Sequence, residues 1–185
     1  MAWVARSVLL TALFLAGCSE PSFVDVPSER TRLIGELLSY QNPREVREML
    51  SRLYPHWEVF EDSGMRPGKT DGRPPNHMFQ ASIRNYSDLG FTGELRVRFF
   101  NDRLVSTTFC PHDLPHYVEV LTARIPEVKT KGKAQIAPFT RVDASETYWK
   151  RKCVIWSDVR LDEEMRVWVD KYAQSPKQTG RLAQG

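Results

Sequence analysis

Much that would announce a chemistry is missing from this chain of 185 residues. No Gly-x-Ser-x-Gly occurs, which excludes the strained nucleophile turn of a serine hydrolase. The one stretch resembling a phosphate loop, Arg66-Pro67-Gly68-Lys69-Thr70, leaves three residues between Gly64 and Gly68 where four are needed. There is no internal repeat and no block of one charge sign. The 26 Lys and Arg are interspersed with 23 Asp and Glu, and a formal charge of +3 is too small to argue for nucleic acid. Cysteines number only three. What is present, 41% hydrophobic and 26% charged residues, is a globular chain of one-domain length, able to bury a core.

Long apolar runs are scarce as well. Arg6 is followed by Val8-Leu9-Leu10-Thr11-Ala12-Leu13-Phe14-Leu15 and then Ala16-Gly17-Cys18. A basic start, a short apolar core and small residues make a secretory leader, too short for a stable spanning helix. Leu15-Ala16-Gly17-Cys18 also resembles the lipobox of bacterial lipoproteins. That resemblance implies cleavage before Cys18 and acylation of its thiol and new amino group. The bland alternative is an ordinary leader with a chance cysteine. Several acyl chains on one residue give stable anchoring where a single chain would not. Ser19 stands where an Asp would resemble an inner-membrane retention signal, so the implied destination is the outer membrane, periplasmic face. The expected organisation is leader 1–17, tether 18–27, a single domain 28–174 and a mobile tail 175–185.

Within the domain the pattern predicts an α+β fold: an N-terminal helical hairpin, an antiparallel sheet built around a central β-hairpin, and further helices packed on the sheet. Ser28 is read as the cap of a first helix with Leu33, Ile34, Leu37 and Leu38 on its apolar face. Asn42-Pro43-Arg44-Glu45 opens a second helix burying Val46, Met49, Leu50 and Leu53. Trp57 to Phe60 reads as a short edge strand, Glu61 to Asn76 as a loop, and Met78 to Tyr86 as a strand. Asp113 caps a helix with Leu114, Val118, Leu121 and Ile125 in its stripe. Lys129 to Lys133 is a basic connection, and Tyr148 to Trp156 a strand. Asp162 is read as the cap of a last helix with Met165, Trp168, Val169 and Tyr172 inward.

The central hairpin runs from Gly93 to Cys110. Leu95, Val97 and Phe99 alternate with Glu94, Arg96 and Arg98, and Asn101-Asp102 supplies the turn. A two-residue loop sets Phe99 opposite Leu104 and Val97 opposite Ser106. A three-residue loop sets Phe99 opposite Val105, Val97 opposite Thr107 and Leu95 opposite Phe109. The second register is preferred, because it keeps Val105 and Phe109 on the core face.

Lipobox, tether, helical hairpin with Asn42-Pro43-Arg44-Glu45-Val46 opening its second helix, then three strands through Phe109: this order resembles the SmpA/OmlA (BamE-like) lipoproteins over about half of the mature chain. The resemblance implies a small outer-membrane lipoprotein of the β-barrel assembly machinery. The chain departs from it in the helix, strand and final helix that follow the third strand, and in Tyr54-Pro55 where a glycine would close the second helix.

Candidate chemistry centres on Cys110, His112, Asp113 and His116. In an oxidising compartment Cys110 and Cys153 are expected to pair, tying the central hairpin to the late strand. The alternatives are a metal site completed by His77 or Cys153, and free thiols. A periplasmic ligand-binding or hydrolytic domain using Cys110, His112 and His116 needs a thiolate beside an oriented imidazole, and no glycine-rich oxyanion loop adjoins them. The preferred reading is non-catalytic, with no metal and no cofactor: a membrane-anchored envelope protein acting through protein or lipid contacts. Its partners would be the membrane, through the lipid anchor, and an envelope protein, not nucleic acid. The binding surface is placed at Arg96, Arg98 and Phe100 on the outer sheet face, with Lys129–Lys133 and Trp149, Lys150, Arg151 and Lys152. The competing view of Phe100 is burial under the last helix, against Trp168.

Overall fold

The computed structural model describes residues 29–69, 71–128, 132–146 and 152–173. Their centre is a seven-stranded antiparallel sheet, accompanied by three α-helices. The expected leader, tether and tail, Cys18 among them, lie outside the described residues.

The N-terminal helical hairpin is corrected. Residues 31–39 form a tight turn, with an isolated bridge between Arg32 and Leu38 and hydrogen bonds from Leu33 N–H to the Leu37 carbonyl (2.8 Å) and from Ser39 N–H to Thr31 (2.9 Å). Gly35 sits at φ +57, where a side chain would meet Tyr86 Oη at 2.8 Å from its Cβ, so the chain turns there rather than coils. Leu33, Ile34 and Leu37 are buried all the same. A cluster of apolar residues fits one helical turn by period, and a compact turn buries the same cluster.

Only the second helix of that pair exists, α1 (Pro43–Leu50). Asn42 accepts from the Glu45 N–H (2.9 Å), and Glu45 accepts from the Asn42 N–H (2.7 Å), a reciprocal capping box with Pro43 at the first helical position. The helix ends at Leu50, so Val46 and Leu50 are buried while Met49 is 39% and Leu53 77% exposed. Leu53 faces water because the helix stops short of it, and Met49, still within the helix, lies off its buried side.

Strands β1 (Glu58–Ser63), β2 (Met78–Asp88), β3 (Phe91–Phe100) and β4 (Arg103–Pro111) follow. Asn101 and Asp102 form a two-residue turn with both residues left-handed, φ 50 and 59. Phe100 therefore opposes Arg103 and Phe99 opposes Leu104. A bulge then shifts the pairing, so Arg98 opposes Ser106, Val97 opposes Thr107 and Leu95 opposes Phe109. Each of the two registers weighed from sequence holds on one side of this bulge: the short loop fixes the turn, and the extra residue restores Phe109 to the core face.

Helix α2 (Leu114–Arg124), capped by Asp113, leads to β5 (Gly132–Gln135), β6 (Thr140–Glu146) and β7 (Lys152–Asp158). The β5–β6 hairpin corrects the expectation of a plain connection. Helix α3 (Val159–Trp168), extended by a π-helical turn over Val169–Ala173, is capped by Asp158 and not by Asp162. The sheet order is β1-β2-β3-β4-β7-β6-β5, with β1 and β5 at its edges.

The register defines two unlike faces. On the first, Ala81, Val97, Thr107, Trp156, Val142 and Ala134 form one cross-sheet row, and Ile83, Leu95, Phe109, Val154 and Ala144 the next. The turn at 31–39, α1 and α2 cover this face, with Val46, Tyr117 and Leu121 in the same cluster. Phe109 meets Tyr86 and Tyr117 edge-on at 5.8 and 5.1 Å between ring centroids. On the second face α3 covers one end only, where Leu161 and Trp168 pack on Phe100, Val105 and Tyr40.

Candidate functional site

The second face carries its own cross-sheet rows. Glu58, Ser82, Arg96, Thr108, Ile155, Asp143 and Lys133 run from edge to edge, and Gln80, Arg98, Ser106, Ser157 and Arg141 lie one step closer to α3. Short polar side chains between arginines keep this face shallow. The half that α3 leaves open is a groove of about 1030 Å³. Glu58 and Phe60 of β1, Ser82 and Arg84 of β2, Glu94 and Arg96 of β3, Cys110 of β4 and Lys152 of β7 line it. His112, Leu114 and Pro115 form a wall beyond the end of β4. Gly93 belongs to the floor, since a Cβ there would lie 2.3 Å from the Cys110 carbonyl oxygen.

Charge in the groove is paired locally. Arg96 donates to Glu94 (2.8 Å), and its guanidinium lies 5.7 Å from the Phe60 ring centre. Arg84 donates to Glu58 (2.8 Å) across β1 and β2. Lys152 and His112 are exposed along the rim.

Cys110 and Cys153 form a disulfide between facing positions of β4 and β7, with Cα atoms 4.2 Å apart, inside this floor. Cys110 thus carries no thiolate for His112 or His116. His112 and His116 are both exposed, and His116 stands edge-on to Phe91 at 5.0 Å. Among the described residues no group of three His, Cys, Asp or Glu is placed to hold a metal ion, and no helix is long and apolar enough to cross a membrane.

The binding residues expected from sequence are partly dispersed. Arg96 and Lys152 line the groove. Arg98 lies at its covered end, donating to Asp162 of α3 (3.2 Å), which also pairs with Arg141. Phe100 is corrected outright: it is 2% exposed, in the cluster with Trp168 and Leu161. Alternation put it on the outer face, and that face is covered by α3 at this end. Lys133 is exposed on β5 opposite Asp143. Trp149, Lys150, Arg151, Lys129 and Lys131 lie outside the described residues. Sequence reasoning missed Glu58, Phe60, Ser82 and Arg84. The short edge strand read at Trp57–Phe60 was the available signal for the first two.

Two polar knots, each centred on a buried ring, brace the sheet. His77 is buried with Nε2 2.7 Å from Asp62 Oδ1 and Nδ1 3.0 Å from Asp102 Oδ1, joining the end of β1 to the β3–β4 turn. The hydrogen bond with His77 holds the Asp62 carboxyl below the usual carboxylate range. Under the first face, Tyr117 Oη donates to Asp88 Oδ2 (2.7 Å). Burial pushes both groups up, the Tyr117 phenol strongly, while the Tyr117 bond itself pulls Asp88 the other way.

No protein-family model, curated protein or solved structure matches the chain.

Proposed function

We propose that this is a lipid-anchored envelope protein, held at the periplasmic face of the outer membrane through Cys18, whose domain works by contact and not by catalysis. The working surface is the open half of the second sheet face together with the β1 edge beside it. The observation that carries the reading is the Cys110–Cys153 bridge in the groove floor. Structural disulfides belong to oxidising compartments, the destination to which the leader and Leu15-Ala16-Gly17-Cys18 would send the chain. The same bridge leaves a Cys110/His112/His116 centre without its nucleophile. The contact is with an envelope protein. The resemblance to SmpA/OmlA lipoproteins supports the outer-membrane destination; of the helical hairpin on which it partly rested, only α1 is helical.

Fractionation of cells carrying Cys18→Ser tests the anchor. The variant is expected to leave the membrane fraction or to accumulate unprocessed. Normal maturation with full membrane retention would overturn the lipoprotein reading.

A further inference from the structure

Two cavities flank one strand. Glu58 and Phe60 of β1 line the groove, while Trp57 and Val59 line a second cavity of about 350 Å³ with Phe79, Pro43, Arg44 and Arg47. Glu58 and Val59 therefore look into different hollows on the two sides of β1, and a bulge at Phe60 returns Glu61 to the groove side. Among the described residues no strand lies on the outer side of β1. Val59 and Phe60 are 52% and 50% exposed, apolar residues left in water on an open sheet edge. The other edge, β5, is four residues long and carries Lys133, which is how sheets usually blunt an edge.

From this we infer that β1 is a docking edge for an extended segment of another protein, added as a further strand. The inference rests on the contact reading above and says how the contact is made. Main-chain hydrogen bonds would supply affinity, and the two hollows would receive alternate side chains. Charge sets the partner's pattern. On the groove side the incoming strand meets Glu58, Phe60 and Glu61. Among the described residues Glu58 is offset by Arg84, while the side-chain bonds of Glu61 are with neutral Gln80 and Ser63. Basic residues suit that side. On the other side it meets Val59, Trp57 and Phe79, where no carboxylate lines the hollow, and farther along Asp62, which is already paired with Arg66 and His77, so apolar residues suit it. The segment is therefore an amphipathic strand, alternately basic and apolar.

A second copy of this chain fits poorly. Antiparallel pairing of β1 with itself sets Glu58 of one copy opposite Glu61 or Asp62 of the other, and like charges directly opposed are destabilising.

The test uses the full chain in detergent, with end-blocked Lys-Val-Lys-Val-Lys-Val-Lys as probe and its Glu-Val counterpart as control. Amide hydrogen exchange is read strand by strand. The basic peptide is expected to slow exchange in β1 about tenfold, and the acidic peptide less. Glu61→Lys should reverse that preference; Glu61 is half-buried at the edge, where it bonds Gln80 and Ser63, and belongs to neither apolar cluster. Four outcomes would overturn the inference. They are slowing outside β1 only, equal response to both peptides in both proteins, slowing that tracks protein concentration without peptide, and β1 amides already protected by the chain itself. Any of these leaves the Cys18 anchor standing, because anchoring is read separately by fractionation.

Discussion

The two faces of the sheet are built from the same strands and do opposite work. The first face is apolar across its rows from Ala81 to Ala134 and is roofed by α1, α2 and the 31–39 turn. The second places arginines, glutamates, serines and threonines at the intervening positions, and α3 covers one end of it. A period of two residues is enough to separate them. The comparison teaches that one sheet can give one face wholly to the core and leave the other polar and half open, with the disulfide bracing the second where apolar packing is thin; the proposed contact would use that open half.

Four substitutions sharpen or break that comparison. The largest effect belongs to the first face: Phe109→Ala empties a site ringed by Tyr86 and Tyr117 and should cost about 3–5 kcal/mol in chemical denaturation. Next is the bridge. Replacing Cys110 and Cys153 together by serine opens a cross-link between residues 43 apart and should cost about 2–4 kcal/mol, with the lost midpoint visible as well in wild type under reductant.

Third is Tyr117→Phe, which removes the donor to buried Asp88 and should cost about 1–3 kcal/mol at neutral pH. It also carries a pH signature. The folded-state Tyr117 phenol titrates above its ordinary value of 10.0, so its contribution is fully present below that pH and is lost as pH rises beyond it. Wild type should therefore lose stability in alkali more steeply than the variant, with Tyr86, also raised by burial, adding to the slope in both. Equal slopes would mean the phenol is not buried as described. The smallest effect is expected on the second face. Arg84→Ala removes one exposed pair with Glu58 and should change stability by less than about 0.5 kcal/mol. A loss like that of Phe109→Ala would erase the distinction between the faces.

Much of the first face was legible because it is written in alternation: Leu95, Val97 and Phe99 announce a strand whatever its partners. Asn42-Pro43-Arg44-Glu45 announced α1 because its cap is local chemistry. What failed depended on partners. Leu33, Ile34 and Leu37 satisfy a helical period, but Gly35 against Tyr86 makes them a turn. The bulge past Arg98 is one extra residue whose reason lies in the facing strand, so neither uniform register could express it. In β6 the inward residues are Val142 and Ala144, too small a signal to mark a strand between Asp143 and Arg141. The site was half legible. Arg96 and Lys152 could be named as outward, yet no periodicity says where α3 ends its cover, and that boundary separates Arg96 in the groove from Phe100 in the core.

The central claim is that contact is made through the second face and its β1 edge while the first face only holds the fold. Amide hydrogen exchange of the full chain in the membranes of cells that express it, compared with the purified protein, tests it most directly. Added protection in membranes is expected at Glu58–Ser63 of β1 and along the groove, with α1 and α2 unchanged. Protection gained on α1 and α2 alone, or on no segment at all, would contradict the account.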